Sequence, residues 1–164
     1  MIRVAVVIVS DSVAAGTRRD LSGLRLRERA EQLGWLVSAV EVVPDDLHEI
    51  SSLLRRLADS NQVNLILTTG GTGIAPRDVT PEAVRQVIDR EIPGLGELMR
   101  AEGRKATVFA ALSRSMAGIR ERALIVSLPG SPKGAVESLD IIAQLVPHII
   151  DLTEGRTEHN DVPH

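Results

Sequence analysis

Residues 4–9 read Val-Ala-Val-Val-Ile-Val, an unbroken apolar run. It is too short to span a membrane. Asp11 follows with no small-residue cleavage site, which argues against a signal-peptide core. The β-branched residues favour extended backbone. A strand with one wet face alternates apolar and polar residues. A run with no alternation belongs to a strand covered on both faces, as in parallel sheets with helices packed above and below. Strand character returns at 36–43, which carries Val37, Val40, Val42 and Val43, and again at 63–69 and 123–128.

Helical patterns fill the gaps. Leu21, Leu24, Ala30 and Leu33 form a stripe closed by Gly34 as its cap. Leu47, Ile50, Leu54 and Leu57 form a second, with Asp45 and Asp46 at its start and Arg55 and Arg56 later, matching the helix dipole. Thr80 and Pro81 read as N-cap and first turn of a helix bearing Ala83, Val84, Val87 and Ile88. Residues 92–113 read as shorter helices broken at Pro93-Gly94 and Gly103. A short strand at 116–119 pairs with 123–128 through Arg120-Glu121-Arg122. Pro129-Gly130-Ser131-Pro132 opens a last helix with Val136, Leu139, Ile142 and Val146, which Pro147 interrupts and 148–152 continue. This alternation predicts an α/β fold, a three-layer α/β/α sandwich with a mostly parallel sheet. It forms one domain over 1–152, followed by a polar tail over 153–164 that is expected to fray.

Composition removes whole classes of function. The 164 residues leave room for a real core. Nineteen Lys+Arg against 22 Asp+Glu give a net charge of −3, so no broadly basic nucleic-acid footprint exists. With no cysteine, disulfides, thiolate metal sites and cysteine nucleophiles are excluded. Trp35 and Phe109 are the only aromatic residues, too few for the chain alone to build a base-stacking platform or an aromatic cage. The four histidines have no metal-ligand spacing. With no targeting segment and no membrane span, the protein reads as cytoplasmic.

In a parallel sheet, ligands bind at the carboxyl ends of the strands. Four loops are therefore of interest. Thr68-Thr69-Gly70-Gly71-Thr72-Gly73 follows a strand, and its glycines let backbone amides approach an anion. The following helix adds its positive end. The spacing is neither that of a Walker loop nor that of a dinucleotide fingerprint. The plain alternative is a tight strand-to-helix turn. Asp45 and Asp78 fall beyond strand ends at the same edge and suit Mg²⁺, which takes carboxylates, water and phosphate oxygens. The plain alternative for each is a helix cap. Ser131 with Pro132 reads first as a helix start. Ser113-Arg114 offers either a bidentate phosphate clamp or an ordinary surface ion pair.

Taken together, the loops resemble the signature of the molybdopterin adenylyltransferases of the MogA/MoaB type, which are related to the G domain of gephyrin. The resemblance rests on Thr68–Gly73 with Arg77-Asp78-Val79-Thr80-Pro81-Glu82. It extends to Ser10-Asp11, Asp20-Leu21-Ser22-Gly23, Pro44-Asp45, Leu112-Ser113-Arg114 and Leu128–Lys133, over roughly residues 3–152. It implies the three-layer fold and Mg-ATP-dependent adenylylation of molybdopterin, giving adenylyl-molybdopterin and pyrophosphate. It also implies a homo-oligomer, trimer favoured and hexamer the alternative, and hand-over to a molybdenum insertase. Matched by motif, Asp45 and Asp78 take catalytic and Mg²⁺-binding roles. Gly70, Gly71, Thr72 and Gly73 form the phosphate loop. Ser113, Pro129, Gly130 and Ser131, with Asp11, Asp20, Ser22 and Gly23, line the nucleotide or pterin site. Ser12 and Ser131 stand where relatives often carry other residues. Neither Trp35 nor Phe109 falls in these loops, so backbone, hydroxyls and aliphatic walls are expected to hold both ring systems. The alternative function is a non-catalytic molybdopterin-binding protein.

Overall fold

The computed structural model describes residues 1–156. Six strands form one sheet: β1 (Arg3–Val9), β2 (Leu36–Val43), β3 (Leu65–Thr69), β4 (Arg90–Glu91), β5 (Ala117–Arg120) and β6 (Ala123–Leu128), in the order β2-β1-β3-β6-β5-β4. The first four in that order are parallel. β5 runs antiparallel to β6, and β4 antiparallel to β5. The mostly parallel sheet is as expected, including the hairpin from β5 to β6. Its turn is Glu121, which has φ 51°.

Two apolar layers explain why β1 does not alternate. Val4, Val6 and Ile8 face one side with Leu65, Leu67, Leu124 and Val126. There they meet α2 (Ser22–Gln32), α5 (Pro93–Gly103), α6 (Pro132–Ile142) and α7 (Val146–Thr153). Ala5, Val7 and Val9 face the other with Ile66 and Ile125, against α3 (Leu47–Asp59) and α4 (Thr80–Val87). Ile50, Leu54 and Leu57 form the buried stripe of α3. Each such side chain contributes about 1.5–3 kcal/mol by leaving water. Arg29 on α2 pairs with Asp140 on α6 at 2.6 Å and ties those two helices on one side of the sheet.

Several boundaries differ from the sequence reading. Residues 11–14 form a short helix, α1 (Asp11–Ala14), because Ser10 caps it by accepting from the Val13 amide. The cap of α4 is Val79, and Thr80 is the first helical residue. The Thr80 hydroxyl donates instead to Gly70 O at 2.8 Å, so the glycine turn takes the group expected at the cap. Pro147 sits in the first turn of α7 and starts that helix, where a proline without an N–H fits. A 3₁₀ turn (Val108–Leu112) follows α5. At the tail, Glu154 accepts from Asn64 Nδ2 and Arg156 bonds Asp151; residues 157–164 lie outside the described residues.

Candidate functional site

The carboxyl ends of β1, β2, β3 and β6 lie side by side, because Val9 is in register with Val43, Ile8 with Thr69, and Thr69 with Leu128. The four loops that leave them therefore converge at one edge. Backbone bonds knit them together: Ser10 N donates to Val43 O at 3.0 Å and Gly70 N to Leu128 O at 3.2 Å. Gly130 packs on Gly70 so closely that a Cβ there would lie 3.3 Å from Gly70 Cα.

Asp46, not Asp45, caps α3, accepting from the Glu49 amide at 2.9 Å. Asp45 is thereby left to the cavity. Its Oδ2 accepts from the Asp11 amide at 3.0 Å, while Asp11 Oδ1 accepts from the Asp45 amide at 3.0 Å. Arg77 grips Asp11 with two bonds, Nε at 2.8 Å and Nη2 at 2.9 Å. Those bonds hold the Asp11 carboxyl below the usual range. Asp45 is raised, first by burial and then by the nearby charges of Asp11 and Asp78, partly countered by its bond from the Asp11 amide.

Asp78 does not cap α4. Its Oδ2 accepts from the Ala75 amide at 2.9 Å, which folds the loop back on itself. A Cβ at Gly73 would lie 2.8 Å from Asp78 Oδ2, and one at Gly71 would lie 3.2 Å from Asp45 Oδ1. Both carboxylates thus border the same glycine turn. Gly70 at φ 105° and Gly71 at φ 68° need the left-handed backbone that glycine adopts freely. Among the described residues no group of three or more His, Asp or Glu forms a metal cluster. A two-carboxylate donor set fits Mg²⁺, which keeps waters and completes its shell with phosphate oxygens.

The hydroxyls mostly brace the loops. Thr69 Oγ1 donates to Pro129 O at 2.7 Å, Ser22 Oγ donates to Gly130 O, and Ser131 Oγ caps α6 through the Gly134 amide at 3.1 Å. Thr72 is buried. Arg114 is neither a clamp aimed at ligand nor a simple surface pair. Its amide donates to Thr72 O, its Nε to Gly73 O and its Nη2 to Asp78 O, each at 2.8 Å, and it pairs with Glu82. That ion pair depresses the Glu82 carboxyl.

A cavity of about 760 Å³ is lined by Asp11, Asp20, Ser22, Asp45, Gly70, Gly71, Asp78, Gly130 and Ser131, together with Arg18 and Arg19. Thr72, Gly73 and Gly23 are not among its lining residues. Asp20 Oδ1 accepts from the Gly23 amide at 2.8 Å and shapes the entry to α2. Ser113 and Pro129 open instead into a neighbouring cavity of about 640 Å³, which Ser131 also lines. Phe109 lines that second cavity, so one aromatic ring does reach the site region although it lies outside the candidate loops. Sequence reasoning missed Arg18 and Arg19, whose signal is the basic pair just before Asp20, and gave no role to Arg77. No described helix is long and apolar enough to cross a membrane.

Residues 5–148 match the family model described as a probable molybdopterin binding domain. The chain is 40% identical over 156 residues to the molybdopterin adenylyltransferase of Helicobacter pylori, covering 94% of this chain and 89% of that one. It is 37% identical to the molybdopterin adenylyltransferase of Escherichia coli, covering 94% and 86%. Among solved structures, the molybdopterin biosynthesis enzyme MoaB of Thermus thermophilus superposes with a TM-score of 0.89 at 50% identity, covering 94% of this chain and 98% of that one.

Proposed function

This chain belongs to the family of probable molybdopterin binding domains, and we propose that it is a molybdopterin adenylyltransferase of molybdenum cofactor synthesis, the activity its relatives are named for. The observation that carries the reading is the meeting of Asp45 and Asp78 on one glycine turn, in a cavity that also holds Arg18 and Arg19. In the proposed reaction, an oxygen of the terminal phosphate of molybdopterin attacks the α-phosphorus of ATP. The new P–O bond forms as the bond from the α-phosphorus to the bridging oxygen breaks, and pyrophosphate leaves.

The phosphate nucleophile is already anionic at neutral pH, so the protein needs no base, and positioning with charge neutralisation carries the rate. Asp45 and Asp78 would hold Mg²⁺, which supplies neutralising charge to phosphate oxygens. The glycine turn lets the backbone approach the phosphates closely. Arg18 and Arg19 place two cations at the rim of a cavity otherwise lined by aspartates, of which Asp11 is already held by Arg77. Both carboxylates being kept at the site favours turnover over binding alone.

The finer parts of the reading are a homo-oligomer, with a trimer favoured, a cytoplasmic location and delivery of the adenylylated product to a molybdenum insertase. Light scattering of the purified protein tests the trimer. The reaction is tested with purified protein, Mg-ATP and molybdopterin, measuring pyrophosphate. The expected result is ATP-dependent release that Asp78→Asn lowers by about a hundredfold or more. Tight molybdopterin binding with no pyrophosphate would sink adenylyl transfer, and wild-type turnover in Asp78→Asn would sink the carboxylate assignment.

A further inference from the structure

Arg114 holds the Asp78 loop from a short link, residues 113–115, between the 3₁₀ turn and β5. That link is itself gripped from behind. Arg100, on α5, donates from Nη1 to Ser115 O at 2.7 Å and to Ser113 O at 3.3 Å. These are the two carbonyls that flank Arg114. Successive peptide groups of an extended chain point to opposite sides, and Ser113 is extended, with φ −70° and ψ 128°. The Arg114 amide points the other way and donates to Thr72 O at 2.8 Å. The link therefore lies between α5 and the glycine turn and is bonded to both.

The fit of α5 on the link depends on Gly96. Gly96 and Arg100 are four apart and share one face of the helix. Gly96 is buried, and a Cβ there would lie 2.7 Å from Ser115 O and 3.1 Å from Arg100 Nη2. The missing side chain lets the helix sit on the link and lay the guanidinium along it. Ser115 is buried, so its carbonyl depends on a protein donor. Ser113 Oγ and Ser115 Oγ bond each other at 3.0 Å and stiffen the link further. On its far side, Arg114 donates from Nε to Gly73 O and from Nη2 to Asp78 O, each at 2.8 Å. An unbroken run of bonds thus joins α5 to the residue that carries a site carboxylate.

We infer that Arg100 is a positioning residue for Asp78, acting through the 113–115 link and Arg114. This rests on the role given to Asp78 in the preceding subsection. The two arginines do their work differently. Arg114 uses separate nitrogens for separate carbonyls, whereas both Arg100 bonds leave one nitrogen. A lysine ammonium, with three donors on one nitrogen, can serve two carbonyls in that way. Arg100→Lys is therefore expected to keep most of the function that Arg100→Ala loses.

Hydrogen–deuterium exchange of the unliganded chain reads the link without reference to turnover. Arg100→Ala is expected to speed exchange over residues 72–78 and at the Arg114 amide, and to leave β1 and α3 as in the wild type. Arg100→Lys returns the slow exchange. In turnover with Mg-ATP and molybdopterin, Arg100→Ala lowers kcat by about tenfold or more and raises KM for ATP. Combined with Arg114→Ala it adds no further loss, since both variants cut one chain of bonds. Leu95→Ala, which loosens α5 from the core, lowers the melting temperature and leaves KM for ATP unchanged. Unchanged exchange over 72–78, exchange that rises equally in β1 and α3, losses that multiply in the double variant, or an equal rise in KM for ATP in Leu95→Ala overturns the inference. Faster exchange over 72–78 in Arg100→Ala, with no pyrophosphate released by the wild type, supports the link from α5 to Asp78 and overturns adenylyl transfer instead.

Discussion

Asp11 and Asp45 are bonded to each other's backbone, amide to carboxylate in both directions, at 3.0 Å each way. The loop after β1 and the loop after β2 thereby fix one another, and the Asp45 carboxylate is aimed by a residue 34 positions earlier. Arg77 neutralises Asp11 through two further bonds, so that the aiming charge does not stand bare beside Asp45.

Asp11→Ala should therefore lower kcat by about a hundredfold, the scale of a misplacement of roughly 1 Å at a reacting centre, with little change in melting temperature. Asp11→Asn keeps an oxygen for the Asp45 amide and should recover part of the loss. Steady-state kinetics over a Mg²⁺ titration check this. Equal activity in all three proteins would show that Asp11 aims nothing.

Removing the Asp45 charge should separate stability from activity. Burial and the nearby Asp11 and Asp78 charges raise the Asp45 pKa. A carboxyl raised on folding favours the folded state below its unfolded pKa, and that contribution is lost as pH rises through the folded value. At neutral pH the ionised Asp45 is thus a cost. Asp45→Asn should melt at or above wild type, by no more than about 1 kcal/mol because the group is only partly buried and water screens it. It should also release almost no pyrophosphate. A clear loss of stability by calorimetry would contradict the sign.

Much of this was legible in the chain. The strands 4–9 and 123–128 announced themselves because nothing polar interrupts them, and the sheet has helices on both faces as that requires. The four loops were found by the rule that ligands sit at carboxyl ends of parallel strands. Adjacent residues were harder. Asp45 and Asp46 look alike in sequence, and only the bond from the Glu49 amide to Asp46 Oδ1 marks Asp46 as the cap and frees Asp45. Arg114 looked like a phosphate clamp or surface pair, because its partners Gly73 and Asp78 offer backbone carbonyls, which carry no sequence signal. Phe109 was missed because the 3₁₀ turn that brings it beside Pro129 and Ser131 depends on tertiary packing.

Arg114 holds the loop that carries Asp78, so its loss should act on substrate handling. Arg114→Ala leaves the Gly73 and Asp78 carbonyls without that partner, at about 1–2 kcal/mol. It should raise KM for ATP as well as lower kcat. Arg114→Lys keeps the charge, but an ammonium lacks the planar fork that meets two carbonyls at once, and it should rescue poorly. Full rescue by lysine would mean that only the charge matters.

The Glu82–Arg114 pair predicts an acid limb. Glu82 is lowered chiefly by its bonds from Arg114. A carboxyl lowered on folding contributes stability above its unfolded pKa, about 4.3. That contribution is lost as pH falls through the folded value. The gap in stability between wild type and Glu82→Gln should be about 1 kcal/mol or less at pH 7, since the Glu82 side chain is half-exposed and water screens the pair. It should close as the pH drops below about 4. Urea melts at a series of pH values check the sign, and a gap that widens on acidification would refute it.

Gly71 joins backbone strain to the site itself, and Gly16 offers the matching control. Both have positive φ, 68° and 74°. A side chain at either costs about 1–2 kcal/mol in left-handed backbone. At Gly16 a Cβ meets nothing within 4 Å, whereas at Gly71 it meets Thr80 Oγ1 and comes 3.2 Å from Asp45 Oδ1. Gly16→Ala should therefore lower the melting temperature and leave turnover intact. Gly71→Ala should lose more stability, because Thr80 must release Gly70 O. It should also lose turnover, because the methyl displaces the Asp45 carboxylate. Equal loss of turnover in the two variants would assign the effect to backbone strain and remove Gly71 from the site.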